Sequence, residues 1–313
     1  MKKCRFCDSS AIVRLPYANL SLCGEHFKGY YIGRIRRVLD KHKIHGEVLV
    51  ATSGGKDSMA LLHALSEISK VDDRANFTAF HINLGIFDYS RKSEEIVREF
   101  SKKLGVVLIV YDLKKEIGYT IPELIRVSKR PPCAVCGIVK RWVLNKVAYE
   151  CGFDYLATGH NIDDISTILL KALLSQDMYT ILRMQSEFSP PRNDIKLVGK
   201  IRPQFYLSEM ENRLYAELNK IPVIGEDCPL SKGATLHKYR SLWDHILKTN
   251  PVSQINFIRS ILKLREQMAA FKQPTHLCKK CEFPTESETE LCAFCRLIDS
   301  AGKRNTETLG LVS

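Results

Sequence analysis

Apolar positions along the chain alternate between two periods. Residues 47–52 form an apolar β-type run, followed by a Gly-rich turn and then apolar side chains at helical spacing to residue 68, which predicts strand, loop and helix. The pattern repeats. Residues 77–85 read as a second strand, 93–105 as a helix stopped by Gly105, 106–113 as a third strand, and 138–152 as a helix ending at Gly152. Residues 154–160 read as a fourth strand, followed by a helical run from Asp164 to Leu174. Strands alternating with helices predict an α/β fold with a mostly parallel, doubly wound sheet. Its ligand belongs at the carboxyl ends of the strands.

The flanks read differently. Residues 25–43 form a helix-like run, but the first thirty residues hold too few apolar side chains for a core of their own, so a metal must supply their folding energy. Between Ser175 and Lys200 the pattern weakens, and 186–194 reads as an exposed loop. Residues 206–222 resume as a helix with Ser208 as its cap, and 252–271 form another. The polar tail after Arg296 reads as frayed. The expected division is a zinc knuckle at 1–30, the α/β domain at 31–272, and a zinc ribbon with its tail at 273–313.

Composition adds two facts. The 313 residues carry a formal charge of +12, and residues 1–46 hold ten Lys/Arg against three Asp/Glu, more than half of that excess. Such a block is an electrostatic footprint for a polyanion, the bland alternative being a solvated helix face. No run reaches the roughly 18 apolar residues of a membrane span, and the first residues lack a secretory apolar stretch, so a cytoplasmic location and no membrane partner are expected. In that compartment eleven cysteines are metal ligands or reactive thiols rather than disulfides.

Their spacing separates three groups. Cys4, Cys7, Cys23 and His26 supply the donors of a closed tetrahedral zinc site, and Cys278, Cys281, Cys292 and Cys295 those of a zinc ribbon. Cys133 and Cys136 open the helix that carries Lys140 and Arg141, with Cys228 as their distant partner. Three thiolates can hold a [4Fe–4S] cluster with one iron open to an exogenous sulfur. The same residues also suit a persulfide redox pair, or a structural zinc with a fourth ligand from elsewhere. Cys151 reads as a buried small residue.

Ser53-Gly54-Gly55-Lys56-Asp57-Ser58 lies between the first strand and its helix. Two glycines admit an anion to the backbone, the helix N-terminus faces it, Lys56 neutralises it, and Asp57 can hold Mg²⁺. The spacing is not that of a Walker A loop. His81-Ile82 end the second strand, where backbone groups can meet an adenine. Gly159, Asp163 and Asp164 end the fourth strand and open a helix, where a carboxylate can bind Mg²⁺ or orient a nucleophile, a helix cap being the commoner role.

The phosphate loop resembles that of the N-type ATP pyrophosphatases. With the cysteine/histidine knuckle, Arg130-Pro131-Pro132-Cys133-Ala134-Val135-Cys136-Gly137, residues 158–164, Cys228-Pro229 followed by Gly233-Ala234-Thr235, and the terminal ribbon, the chain resembles the TtuA branch of the TtcA/TtuA tRNA 2-thiolation enzymes nearly end to end. Wobble-uridine thiolases share much of this layout. The resemblance implies a PP-loop, HUP-like fold that 2-thiolates uridine or 5-methyluridine 54 of tRNA and releases AMP and pyrophosphate. ATP, Mg²⁺, a [4Fe–4S] cluster and two structural Zn²⁺ are its implied cofactors. A ubiquitin-like sulfur carrier with a C-terminal thiocarboxylate, or free sulfide, is the implied donor, and a homodimer the implied assembly.

By the same resemblance Cys133, Cys136 and Cys228 are cluster ligands, Lys140 and Asp164 are catalytic, and Ala51, Ser53, Lys56, Asp57, Ser58 and Gly159 hold ATP. Ile165-Ser166 departs from the family's Glu-Ala, which puts a role for a carboxylate at position 165 in doubt. The alternatives are thiolation of uridine 34 or cytidine 32, a sulfur-independent tRNA ligase of the lysidine synthetase kind, and a non-catalytic zinc-dependent RNA-binding protein.

Overall fold

The computed structural model describes residues 2–184, 186–231, 236–268 and 275–309. An N-terminal hairpin, β1 (Val13–Leu15) and β2 (Leu20–Leu22), leads into α1 (Gly24–Lys41). The strand–helix repeats follow as β3 (Gly46–Ala51), α2 (Lys56–Ser69), β4 (Ala75–Asn83), α3 (Phe87–Leu104) and β5 (Leu108–Asp112). Then come α4 (Leu113–Ile117), α5 (Ile121–Val127), α6 (Pro132–Glu150), β6 (Tyr155–Ala157), α7 (Ile162–Leu174), α8 (Met178–Arg183), β7 (Phe188–Ser189) and β8 (Gly199–Ile201). The chain continues through α9 (Glu209–Leu218), α10 (Leu236–Thr249) and α11 (Ser253–Gln267) to the ribbon strands β9 (His276–Leu277) and β10 (Pro284–Thr285), and α12 (Ala293–Leu309).

The central sheet has the order β5-β4-β3-β6-β8-β7, parallel except for β7. The order reverses between β3 and β6, which opens a crevice above their carboxyl ends. One face of the sheet buries Val48, Val50, Ala79, Ala157 and Ile201 with side chains of α1 and α2. The other buries Leu49, Phe80 and Leu156 with α5, α6 and α12.

Three expectations are corrected. The stretch read as an exposed loop at 186–194 contributes an edge strand: Phe188 pairs with Ile201 and Ser189 with Lys200, Glu187 and Ser189 are buried, and only 190–194 is fully exposed. Strands of two or three residues are too short to show a period. The tail after Arg296 continues as α12, because Phe294, Leu297 and Ala301 bury against α5 and α6. Cys151 is exposed at the end of α6 rather than buried. Helices α4, α5, α8 and α10 had no sequence expectation. Gly233-Ala234-Thr235 and the end of the helix expected at 252–271 lie outside the described residues.

As expected, the N-terminal hairpin has no core of its own. Its Leu15 and Leu22 bury completely, in one cluster with Phe27, Tyr31, Ile35 and Tyr215. The Tyr31 and Tyr215 rings stack 4.0 Å apart, and Tyr17 donates a 2.6 Å hydrogen bond to buried Glu211 on α9. The basic helix α1 is thereby fixed against the domain that carries the phosphate loop.

Candidate active site and metal centres

The loop after β3 closes on itself. The Ser53 amide donates to Ser58 Oγ at 3.0 Å, the two serine hydroxyls lie 3.1 Å apart, and Ser93 from α3 donates to the Ser53 carbonyl at 2.6 Å. Gly54 takes φ +77°, and a Cβ there would fall 2.7 Å from Ser93 Oγ, so only glycine fits. Gly159 at the end of β6 approaches the α2 N-terminus so closely that a Cβ would lie 3.1 Å from the Ser58 amide nitrogen. We expect Gly159→Ala to push α2 out of register and weaken ATP binding about tenfold with little loss of fold, measurable by titration calorimetry.

Asp57 is held from three sides. Its Oδ1 accepts from Asn161 (3.2 Å) and Asn212 (2.7 Å), its Oδ2 meets Lys56 at 3.1 Å, and its main-chain carbonyl accepts from Gln204 at 2.9 Å. Gln204 also donates to the Tyr31 hydroxyl, which donates to Asn212. Lys56 pairs with Glu209 at 2.8 Å, and Glu209 also pairs with Arg213 and Arg240. Asn161, Gln204, Glu209, Asn212 and Tyr31 were not expected as site residues, because they converge only in the folded chain.

The two aspartates at the α7 N-terminus differ. Asp163 is engaged on both oxygens, by the Glu209 amide at 2.7 Å and by Gln254 at 2.9 Å, so it ties α7 to α9 and α11. Asp164 shares a capping box with Asn161, and burial, reinforced by the charge of Asp57, pushes its carboxyl up to about 6. Above β4, His81 is buried. Its Nδ1 bonds the Thr52 carbonyl at 2.9 Å, which makes Nδ1 the protonated nitrogen, while Nε2 has no partner among the described residues. β4 runs to Asn83, beyond its last rung with β3 at Phe80–Ala51, so the main chain of His81 and Ile82 borders the crevice.

Pro132 starts α6, and Cys133 and Cys136 follow one turn apart at its N-terminal end. Cys228 and Leu230, at the head of a 3₁₀ turn, pack into the same apolar cluster as Cys136. Burial pushes the Cys136 thiol up, as do the charges of Cys228 and Cys133, while Lys140 one turn along opposes them. The structure thus brings together the three cysteines and Lys140.

The terminal clusters are tighter. A tetrahedral zinc with bonds of about 2.3 Å places its sulfurs about 3.8 Å apart. Cys7 and Cys23 are 3.8 Å apart, Cys281 and Cys292 are 3.7 Å apart, and His26 Nδ1 lies 3.2 Å from Cys23. Both quartets hold their donor atoms within 4.8 Å of one another, whereas Cys133, Cys136 and Cys228 form no such group. At least one pair of their sulfurs is therefore more than 4.8 Å apart, wider than the sulfurs around a single tetrahedral zinc. The ribbon docks on α6, where Trp142 stacks on Phe294 at 3.7 Å and donates to Cys281 Sγ at 3.4 Å.

The fold and the phosphate cradle define a PP-loop nucleotide-binding protein, and a PP-loop domain model matches residues 31–227. The N-terminal LIM domain of the 2-thiouridine synthetase TtuA matches residues 3–28. The chain is 34% identical to the tRNA-5-methyluridine(54) 2-sulfurtransferase of Pyrococcus horikoshii, covering 94% of this chain and 93% of that one. It is 35% identical to the enzyme of that name from Thermus thermophilus, covering 96% and 92%. The U34-tRNA thiolase NcsA from Methanococcus maripaludis, solved with its [4Fe-4S] cluster, superposes with a TM-score of 0.82 at 26% identity over 95% of both chains. The chain belongs to the TtuA-type 2-thiouridine synthetases of the PP-loop family.

Proposed function

We propose that the protein is an ATP-dependent tRNA 2-sulfurtransferase acting on 5-methyluridine 54. The observation that carries this reading is the meeting of Cys133, Cys136, Cys228 and Lys140, with the segment leading to Cys228 tied to the 53–58 loop by the Ile224 amide, which donates to the Gly54 carbonyl at 2.9 Å. Position 54 is favoured over position 34 because the 34–35% identical relatives carry the former name and the 26% identical thiolase the latter.

In this reading the loop at 53–58 holds the β- and γ-phosphates of ATP, Ala51 and the main chain of His81 and Ile82 border the adenosine, and Gly159 lets the nucleotide lie against the α2 N-terminus. Asp57, with Lys56, serves the magnesium-bound phosphates. The uracil O2 attacks the α-phosphate and pyrophosphate leaves, while ionised Asp164 takes the N3 proton. Sulfide sulfur then forms its bond to C2, AMP leaves, and the proton returns to N3. AMP is a far better leaving group than the original oxygen, which is why ATP is consumed first. Lys140 neutralises anionic charge where sulfur and phosphate meet. Cys133, Cys136 and Cys228 would hold a [4Fe–4S] cluster, which supplies an open iron for exogenous sulfur.

The division into 1–30, 31–272 and 273–313 is kept as one of labour, with both zinc modules and α1 gripping the tRNA backbone. The sulfur comes from a ubiquitin-like carrier or free sulfide, the working unit is a homodimer, and the location is cytoplasmic, where thiolates stay reduced. Among the described residues no helix is long and apolar enough to cross a membrane.

Asp164 supplies the test. Its folded pKa of about 6 lies above the ordinary 3.8, so ionising it costs stability as pH rises between those values, and its base form is complete only above 6. Thiolation should therefore rise with pH to a midpoint near 6 and then level. Asp164→Asn should lower it roughly 10²–10⁴-fold without lowering Tm. An unchanged pH profile in the Asn variant would remove Asp164 from the mechanism.

A further inference from the structure

The crevice holds a second concentration of charge that the cradle does not use. In the parallel register Lys200 stands beside Leu156, on the sheet face covered by α6 and α12, and Arg202, two residues on, follows on the same side. Arg141 on α6 folds its guanidinium back over Gly137, where a Cβ would lie 3.1 Å from it. Arg183 ends α8. These cations feel one another: burial first, and then the charges of Arg202, Arg183 and Arg141, push the Lys200 ammonium down to about 8. Burial, reinforced by Arg183, also lowers Arg141.

Almost nothing neutralises them. Arg183 pairs with Glu286 at 3.4 Å, but among the described residues no carboxylate comes within ion-pair distance of Arg141, Lys200 or Arg202. Lys200 and Arg202 are half-buried, Arg202 donating to the Ser186 carbonyl at 2.9 Å, while Arg141 is exposed beside them; half-buried cations with no carboxylate partner are unfavourable unless an anion joins them. That anion is not the pyrophosphate end of ATP. β8 is two strands from β3, about 10 Å away, and in the function proposed above the adenosine borders β4, on the far side of β3.

We propose that Arg141, Lys200 and Arg202, with Arg183 at the rim, form a clamp for an RNA phosphodiester next to the nucleotide being modified. Guanidinium forks match phosphate oxygens pairwise, which a compact sulfide ion cannot exploit. Arg141 ties the clamp to α6 beside Lys140 and Cys136, so an RNA strand held there delivers a base to the crevice between β6 and the cysteines. This inference rests on the tRNA substrate proposed above.

The test is Lys200→Met in the full-length, metal-loaded protein, with Arg141→Gln as a second variant. We expect tRNA Kd to rise about tenfold, the slope of log Kd against log salt to fall by about one, and ATP Kd to stay unchanged. Tm of the free protein should rise by about 3 °C, because a repelled cation is gone. A merely structural lysine would lower Tm instead. Unchanged tRNA affinity and salt slope overturn the clamp, as does a loss confined to ATP affinity or to the sulfide dependence of turnover. A wild-type protein that binds no tRNA overturns both this inference and the proposed function, whereas equal binding by wild type and Lys200→Met overturns the clamp alone.

Discussion

Cys228→Ser is expected to leave a folded, colourless protein that no longer thiolates tRNA. Cys228 reaches the cluster site from a loop after α9, while Cys133 and Cys136 come from the N-terminal end of α6, so the site exists only in the folded chain. Replacing a thiolate by a hydroxyl removes one of three protein ligands. Losing groups that only support metal ligands typically costs 10–100-fold, so loss of a ligand should exceed roughly 100-fold. Both zinc sites lie elsewhere and should stay filled, at two zinc ions per chain. Cys151→Ser is the control: Cys151 is exposed at the far end of α6, and its loss should change neither colour nor rate. Visible absorption and iron content of anaerobically prepared protein provide the measurement. A sulfur-independent ligase would keep its activity in Cys228→Ser, and a persulfide enzyme would be active without colour.

Cys292→Ser should have the largest effect on stability. Cys292 is buried, its amide donates to Cys278 Sγ at 3.2 Å, and its sulfur accepts from the Cys295 amide at 3.3 Å. Zinc binding to such sites is folding free energy, roughly 10–16 kcal/mol in small zinc modules. The ribbon shares one apolar cluster with α5, α6 and the sheet, so losing the metal also loosens the stack of Phe294 on Trp142. We expect zinc to fall from two ions to one, Tm to drop by about 10 °C, and Trp142 fluorescence to shift red. Thiolation should suffer as well, since α6 carries Cys133, Cys136 and Lys140. Retention of two zinc ions with unchanged Tm would show that the quartet is not a structural metal site.

These effects were legible in the sequence to different degrees. Ser53–Ser58 could be read directly because a phosphate cradle is built from consecutive residues between one strand and one helix. The zinc quartets could be read because their pairs recur at fixed short spacings. The partners of Asp57 could not, since Asn161, Gln204 and Asn212 come from three separate segments and meet only when β6, β8 and α9 assemble. Strand β8 escaped notice for a related reason. A three-residue strand bearing Lys200 gives no alternating apolar signal, and its charged neighbours look like a loop. Asp163 and Asp164 are adjacent and alike in sequence. Only the fold gives one to the α9 amide and leaves the other to titrate near 6.

The central claim is that ATP cleavage and sulfur transfer are joined at one crevice and directed at a tRNA base. The most direct measurement is nucleoside mass spectrometry of tRNA carrying 5-methyluridine at position 54, after incubation with anaerobically reconstituted protein, ATP, Mg²⁺ and sulfide. The expected result is an oxygen-to-sulfur exchange on that nucleoside alone, with one AMP formed per thiolated tRNA. Unmodified tRNA in the presence of bound ATP and an intact cluster, or sulfur appearing at position 34 or 32 instead, would contradict it.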